Sequence, residues 1–312
     1  MAVCLANQGH DVTLIARGVD HRPLAQEVLS TKGVRLVTAG LDGKAALSNA
    51  FAGCEAVAHC AGINRAEGSQ TFEAVHVRGT ENVVRAAEEA GVRRLALLSF
   101  LRARPRCGSA YHESKWAAEE IVRGSGLGWT ILKAGVIYGR GDHMLDHLSH
   151  AFHTFPVFGL VGMRSRPVRP VAVEDVAGIL AATANDDPRL SRRTFAVLGP
   201  DELLLSDAVH SVADVVGRRP WLVPLPIVAQ RLIAALAETL MIVPLVSRAQ
   251  VRILAEGIVE PLPAADRLPA DMLPTTRFDE ASIRAGLPDP GGFARSDLRW
   301  CRGRAPSVRA TD

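Results

Sequence analysis

Residues 95–133, LALLSFLRARPRCGSAYHESKWAAEEIVRGSGLGWTILK, decide the fold of this chain. Leu95 to Ser99 and Trp129 to Lys133 are short, almost wholly apolar runs, the pattern of strands buried on both faces. Between them, Tyr111 to Val122 repeats apolar residues at helical spacing, with Ser109 placed to cap the helix. Strand, helix and strand in that order make a right-handed crossover, and so a parallel sheet.

The same alternation runs back towards the N-terminus. Val12 to Ala16, Val34 to Val37 and Ala56 to Ala61 read as strands, and Thr80 to Ala90 reads as a helix stopped by Gly91. The expected fold class is α/β, with a doubly wound, Rossmann-like parallel sheet over residues 1–136. After Gly139 the regularity fades through a proline-rich stretch, Pro156 to Pro170, into a helix from Glu174, a strand near Thr194 to Leu198 and helices after Ser206. Residues 137–292 are therefore expected to form a smaller, irregular C-terminal substrate lobe with elements that return to the core. Residues 293–312, with five arginines against two aspartates, are expected to be disordered.

Composition narrows the function. Of 312 residues 48% are hydrophobic and 22% charged, as in a globular protein, and a net charge of +3 points to neither a nucleic-acid nor a membrane partner. Five scattered cysteines (Cys4, Cys54, Cys60, Cys107, Cys301) show no paired metal spacing, which fits a reduced, cytoplasmic protein without zinc or disulfides. Met1 to Gln8 lacks the basic and apolar regions of a signal peptide. The most apolar stretch, Ile227 to Val246, is broken by Gln230, Arg231, Glu238 and Pro244, so no transmembrane segment is expected; it reads as an amphipathic or substrate-lining helix.

Chemistry gathers at Tyr111-His-Glu-Ser-Lys115. A four-residue helical spacing puts phenol and ammonium on one face, and a neighbouring cation lowers a tyrosine pKa from about 10. With two tyrosines and four lysines in the chain, about 0.03 such spacings are expected by chance if helix pairing alone is at work. Ser99, at the end of its strand, is the candidate to hydrogen-bond a substrate oxygen in the same pocket. Ser109 is its rival, although its position suits an N-cap. His143, His147, His150 and His153 fall on or near one helical face, but no carboxylate or cysteine completes a metal set, so no metal is expected.

Four motifs occur in order: Ala58-His-Cys-Ala-Gly62, Val77-Arg-Gly-Thr-Glu-Asn-Val83, Tyr111 to Lys115, and Ile131-Leu-Lys-Ala-Gly-Val-Ile-Tyr-Gly139, followed by Arg169-Pro-Val-Ala-Val-Glu-Asp-Val-Ala177. Together they resemble the extended and atypical short-chain dehydrogenase/reductase superfamily, which includes NAD-dependent epimerases and dehydratases. Thr154-Phe-Pro156 and Pro224-Leu-Pro226 narrow the resemblance to the branch holding the nucleotide-binding accessory subunit of respiratory complex I and its bacterial relatives. The resemblance implies that Ala61 and Gly62 border an NAD(P) cofactor, that Gly135 and Val136 touch its nicotinamide half, and that Ser99, Tyr111 and Lys115 form a reactive triad, with Tyr111 and Lys115 also at the cofactor. Arg17 stands where such proteins select between cofactors. A guanidinium there pairs with a 2′-phosphate, which leans towards NADP(H) over NAD(H), although a surface arginine in an arginine-rich chain reads the same way.

The chain departs from the pattern in several places. Met1 to His10 already reads as the helix that follows the family's first strand and Gly-rich turn, so both are expected to be missing here and the natural protein is expected to start upstream of Met1. Gly124-Ser-Gly-Leu-Gly128 follows a helix and leads into a strand, the wrong context for a phosphate cradle. His76 stands in place of asparagine, Lys133 of arginine and Ala134 of proline. Two functions follow. One is an oxidoreductase or epimerase/dehydratase-like enzyme that transfers hydride to or from a small, hydrophobic substrate. The other is a non-catalytic NAD(P)H-binding accessory or scaffold protein that docks on a protein partner.

Overall fold

The computed structural model describes residues 1–17, 23–185, 187–241, 246–294 and 297. The chain divides into two compact units. The first combines Met1–Gly139, Val168–Glu202 and Ile258–Phe278; the second combines Arg140–Pro167, Leu203–Gly257 and Asp279–Asp312.

In the first unit, strands β1 (Val12–Ala16), β2 (Val34–Thr38), β3 (Ala56–His59), β4 (Arg94–Phe100), β5 (Gly128–Ala134), β7 (Arg193–Val197) and β9 (Asp266–Arg267) alternate with helices α1 (Ala2–Asn7), α2 (Pro23–Ser30), α3 (Lys44–Phe51), α4 (Gly79–Glu89), α5 (Ala110–Arg123) and α7 (Val173–Ala184). The five strands read from sequence in the N-terminal half are all present, each within two residues of its expected bounds. A turn of π-helix, Glu73–Arg78, runs directly into α4. Gly91 at φ +72° ends that helix, as expected of a residue free to enter the left-handed region.

All strand pairing in this unit is parallel. Five strands stand in the order β9-β7-β5-β4-β3, and β1 pairs with β2 in a separate sheet. Side-chain alternation along β4 divides the core. Leu95 and Leu97 join α3, α4 and α5 on one face, and Ala96 joins α7 and β7 on the other. Leu95, Ile131, Leu132 and Phe195 are almost wholly buried, each contributing about 1.5–3 kcal/mol of transfer free energy.

The two sheets do not join. Between β1 and β3 lies a cavity of about 1470 Å³, lined by Val12 to Ala16 on one side and by Ala56 to Gly62 on the other, with Met1, Ala2 and Leu5 of the α1 region also on its wall. β1 packs on α1 and α3 instead of on β3.

The second unit holds α6 (His143–Thr154), β6 (Val157–Val161), α8 (Leu205–Val216), β8 (Trp221–Leu225), α9 (Ile227–Leu240), α10 (Arg248–Glu256) and α11 (Glu280–Gly286). β6 and β8 form a two-stranded parallel ladder with Trp221 opposite Val157. Ala234 of α9 and Val251 of α10 pack with Val161 in a small core. Phe293 packs against α6. Its amide donates to Thr154 Oγ1 at 2.7 Å and its ring lies 5.5 Å from that of His150. Residues 295–296 and 298–312 lie outside the described residues. No helix among the described residues is long and apolar enough to cross a membrane.

Candidate functional site

The α5 helix carries Tyr111 and Lys115 one turn apart, and both side chains are buried. Four rings surround the Tyr111 phenol: Phe72 at 5.8 Å, His76 at 5.8 Å, Phe100 at 5.5 Å and His112 at 5.8 Å between centroids. That enclosure reverses one expectation. Burial pushes the Tyr111 hydroxyl above the ordinary tyrosine value, because the phenolate would lose its water inside this cage. Lys115 moves the other way: burial pulls it down to about 8, against the opposing pull of Cys60 and Glu119.

Lys115 Nζ donates to the Leu98 carbonyl at 3.3 Å, at the end of β4. It also lies against Gly62. A Cβ on that glycine would stand 3.0 Å from Nζ and 3.4 Å from His76 Nε2, so glycine is what lets the backbone after β3 approach the ammonium. His76 is fixed by two bonds. The Ile63 amide donates to Nε2 at 3.1 Å, which puts the proton on Nδ1, and Nδ1 donates to Ser114 Oγ at 2.8 Å. Ser114 in turn donates to the Tyr111 carbonyl at 3.0 Å. Behind this pair, Thr80 Oγ1 donates to the His76 carbonyl at 2.6 Å and accepts from His59 Nε2 at 3.0 Å. Burial, with Lys115 adding to it, holds His59 down to about 4 and His76 to about 3, so both rings are neutral at physiological pH.

Ser99 is engaged elsewhere. It is buried at the register position opposite Lys133, and its hydroxyl donates to Glu119 Oε1 at 2.5 Å. Glu119 also accepts from Lys133 Nζ at 3.0 and 3.2 Å and from Arg123 at 2.8 Å, and Lys133 Nζ donates once more to the Ala103 carbonyl at 2.9 Å. The Ser99 proton is thus held by a buried ionic network of α5 and β5. Ser109 occupies the N-cap position of α5, but its hydroxyl bonds His112 Nδ1 at 2.7 Å instead of a helix amide.

The expected cofactor residues fall into three places. Arg17, Ala61 and Gly62 line the cavity between β1 and β3, where Arg17 is exposed and has no ion-pair partner among the described residues. Tyr111 and Lys115 meet Gly62 from the α5 side. Gly135 follows β5, where a Cβ would press to 3.0 Å on Leu198 and 3.5 Å on Ile258; Val136 accepts the Val171 amide through its carbonyl at 2.8 Å. Two of the four α6 histidines bond back to their own helix. His150 Nδ1 donates to the Asp146 carbonyl at 2.7 Å and His153 Nδ1 to that of Ser149 at 2.8 Å. No group of three metal-ligating side chains occurs among the described residues.

Sequence reasoning missed the Ser114 link and the Glu119 network. Ser114 falls three residues after Tyr111 and Glu119 four after Lys115, so helical spacing carried the signal for both.

Residues 2–153 match the NAD(P)H-binding family. The chain is 31% identical over 157 residues to the mitochondrial NADH dehydrogenase (ubiquinone) 1 alpha subcomplex subunit 9 of Mus musculus, covering 50% of this chain and 41% of that one. It is 32% identical over 193 residues to the ceramide reductase of Caulobacter vibrioides, covering 62% and 60%. The matched part thus spans about half the length of these curated relatives. Among solved structures, UDP-glucuronic acid 4-epimerase from Bacillus cereus in complex with NAD superposes with a TM-score of 0.64 at 12% identity, over 91% of this chain and 92% of that one. Residues 2–153 are thus similar to the NAD(P)H-binding family and to part of a complex I subunit, and the chain has the fold seen in an NAD-bound sugar-nucleotide epimerase.

Proposed function

We propose that the chain is an NAD(P)(H)-dependent reductase acting on the carbonyl of a small, hydrophobic molecule, with Tyr111 as proton donor. The observation that carries this reading is the buried cluster of Tyr111, Lys115, His76 and Gly62, whose only cation has its pKa at about 8. Gly62 fits a cofactor, since the space a Cβ would take lies directly beside Lys115 Nζ. Lys115 would hold a ribose hydroxyl and Arg17 a 2′-phosphate, which favours NADP(H) over NAD(H). When bound, the nicotinamide supplies the hydride.

The buried phenol suits the donor role. A phenol whose pKa burial has raised gives its proton only to a stronger base, such as the alkoxide left by carbonyl reduction, and makes a poor base near neutral pH. The neutral His76 ring packs edge-on beside the phenol, 5.8 Å between centroids. Ser99 would polarise the substrate oxygen only by giving up its bond to Glu119. The ceramide reductase relative supports a lipid-like substrate.

A second reading, an NAD(P)H-binding accessory protein, draws on the complex I relative and on the same engaged Ser99. Tyr111→Phe separates the two. NADPH oxidation with long-chain ketones should fall by about 10²–10⁴ while nucleotide binding stays. No turnover in either, alongside intact binding, would leave the accessory role, and equal turnover in both would remove Tyr111 as the proton donor.

A further inference from the structure

The second unit carries an apolar surface that the reductase reading does not use. In α9 only Gln230, Ala234 and Ala237 are buried. Val228, Leu232, Leu236 and Leu240 recur every four residues on the outside, with Val228 78% and Leu232 64% exposed, and Ile233 extends the stripe. The stripe is about 18 Å long. The ladder beside it continues the apolar surface: Trp221, 77% exposed, and its register partner Val157 lie on one face with Val223. The buried side of α9 packs on this ladder: the Gln230 side-chain amide donates to the carbonyl of Gly159, the register partner of Val223, at 2.9 Å. Soluble proteins rarely leave so many large apolar side chains together in water.

Exposed arginines border these segments. Arg218 and Arg219 directly precede β8 and Arg231 flanks the stripe; all three are exposed and without an ion-pair partner among the described residues. The one acid of α9, Glu238, is neutralised by Arg248 at 2.8 Å. We propose that this face docks on an anionic lipid bilayer. The α9 side chains would enter the acyl boundary, Trp221 would sit at headgroup level, and the three guanidiniums would bind lipid phosphates. At 14 residues α9 is too short to span, so it lies in the surface. A second copy fits less well, because a twofold pairing would bring two sets of these uncompensated guanidiniums into one interface. The proposal stands whether or not the first unit is catalytic.

Flotation of the full chain with vesicles tests it. Wild type should float with vesicles of equal parts phosphatidylcholine and phosphatidylglycerol and remain behind with phosphatidylcholine alone. Leu232→Ser combined with Leu236→Ser should abolish flotation, and Arg218→Ser, Arg219→Ser and Arg231→Ser together should weaken binding by about a hundredfold. Both variants should keep the wild-type circular dichroism and melting temperature, since every altered side chain is exposed. Failure of the wild type to float with anionic vesicles, or undiminished flotation of the leucine variant, would overturn the proposal. So would a wild-type dimer, seen by light scattering without lipid, that the leucine changes dissolve.

Discussion

Replacing Glu119 by alanine should be among the most damaging single changes in the first unit. Its carboxylate is fully buried and accepts four hydrogen bonds from three side chains: one from Ser99, two from Lys133 and one from Arg123. Lys133 is 1% exposed, and without Glu119 its ammonium would keep only the Ala103 carbonyl. Removing one partner of a buried ion pair costs about 3–5 kcal/mol, because the other charge stays in the interior. At about 2–4 °C per kcal/mol for a domain of this size, the melting temperature should drop by roughly 10 °C. Burial already pulls the Lys133 pKa down and Glu119 holds it up, so the variant should let Lys133 lose its proton, recovering part of the loss at alkaline pH. The assay is calorimetric melting against pH for wild type, Glu119→Ala, Lys133→Met and the double variant Glu119→Leu with Lys133→Met. The double variant should be much nearer wild type than either single one. A loss below about 1 kcal/mol for Glu119→Ala would refute the reasoning, since it would mean that water or a rearranged side chain replaces the carboxylate easily.

Two further outcomes follow from the site. His59 and His76 are held neutral in the fold, near 4 and 3, against an ordinary value of 6.5, so the unfolded chain binds more protons; stability should fall as pH drops from about 6.5 towards 4, and His76→Asn should flatten that slope in urea titrations. An equal slope in the variant would remove His76 from the explanation. Gly62→Ala should leave the melting temperature within a few degrees, because the flexible end of Lys115 can yield, yet weaken NADPH binding by about tenfold in a fluorescence titration. Unchanged affinity would show that the nucleotide does not approach Gly62.

Much of the first unit was legible because its signals are local. Buried parallel strands are continuous apolar runs, so β1 to β5 announced themselves, and Tyr111 with Lys115 followed from helical period alone. What the sequence hid depends on partners distant along the chain. The direction of the Tyr111 shift is set by Phe72 and Phe100, 39 and 11 residues away, and no spacing rule shows their rings closing on the phenol. Ser99 read as a reactive group because its place at a strand end is visible, whereas Glu119, which takes its proton, sits 20 residues on. Ser109 was a fair cap by position, but His112 competes for its hydroxyl at 2.7 Å. The ladder of β6 with β8 joins segments about sixty residues apart, and prolines in both regions mask their strand character.

The cavity between β1 and β3 gives the first unit an unusual mechanical property. In an unbroken sheet, each strand sits about 4.8 Å from the next and backbone hydrogen bonds fix that spacing. Here Arg17 rides on the β1–β2 pair, while Ala61, Gly62 and Lys115 belong to the five-stranded block. Helix packing through α1 and α3, not a ladder of hydrogen bonds, sets the span between the two groups. Side-chain packing yields to sliding more readily than a ladder does, so the two groups should shift relative to one another more easily than neighbouring strands of one sheet. Whatever bridges the span, nucleotide or polypeptide, would set it and stiffen both blocks together, and amide exchange along β1 and β3 would slow in step.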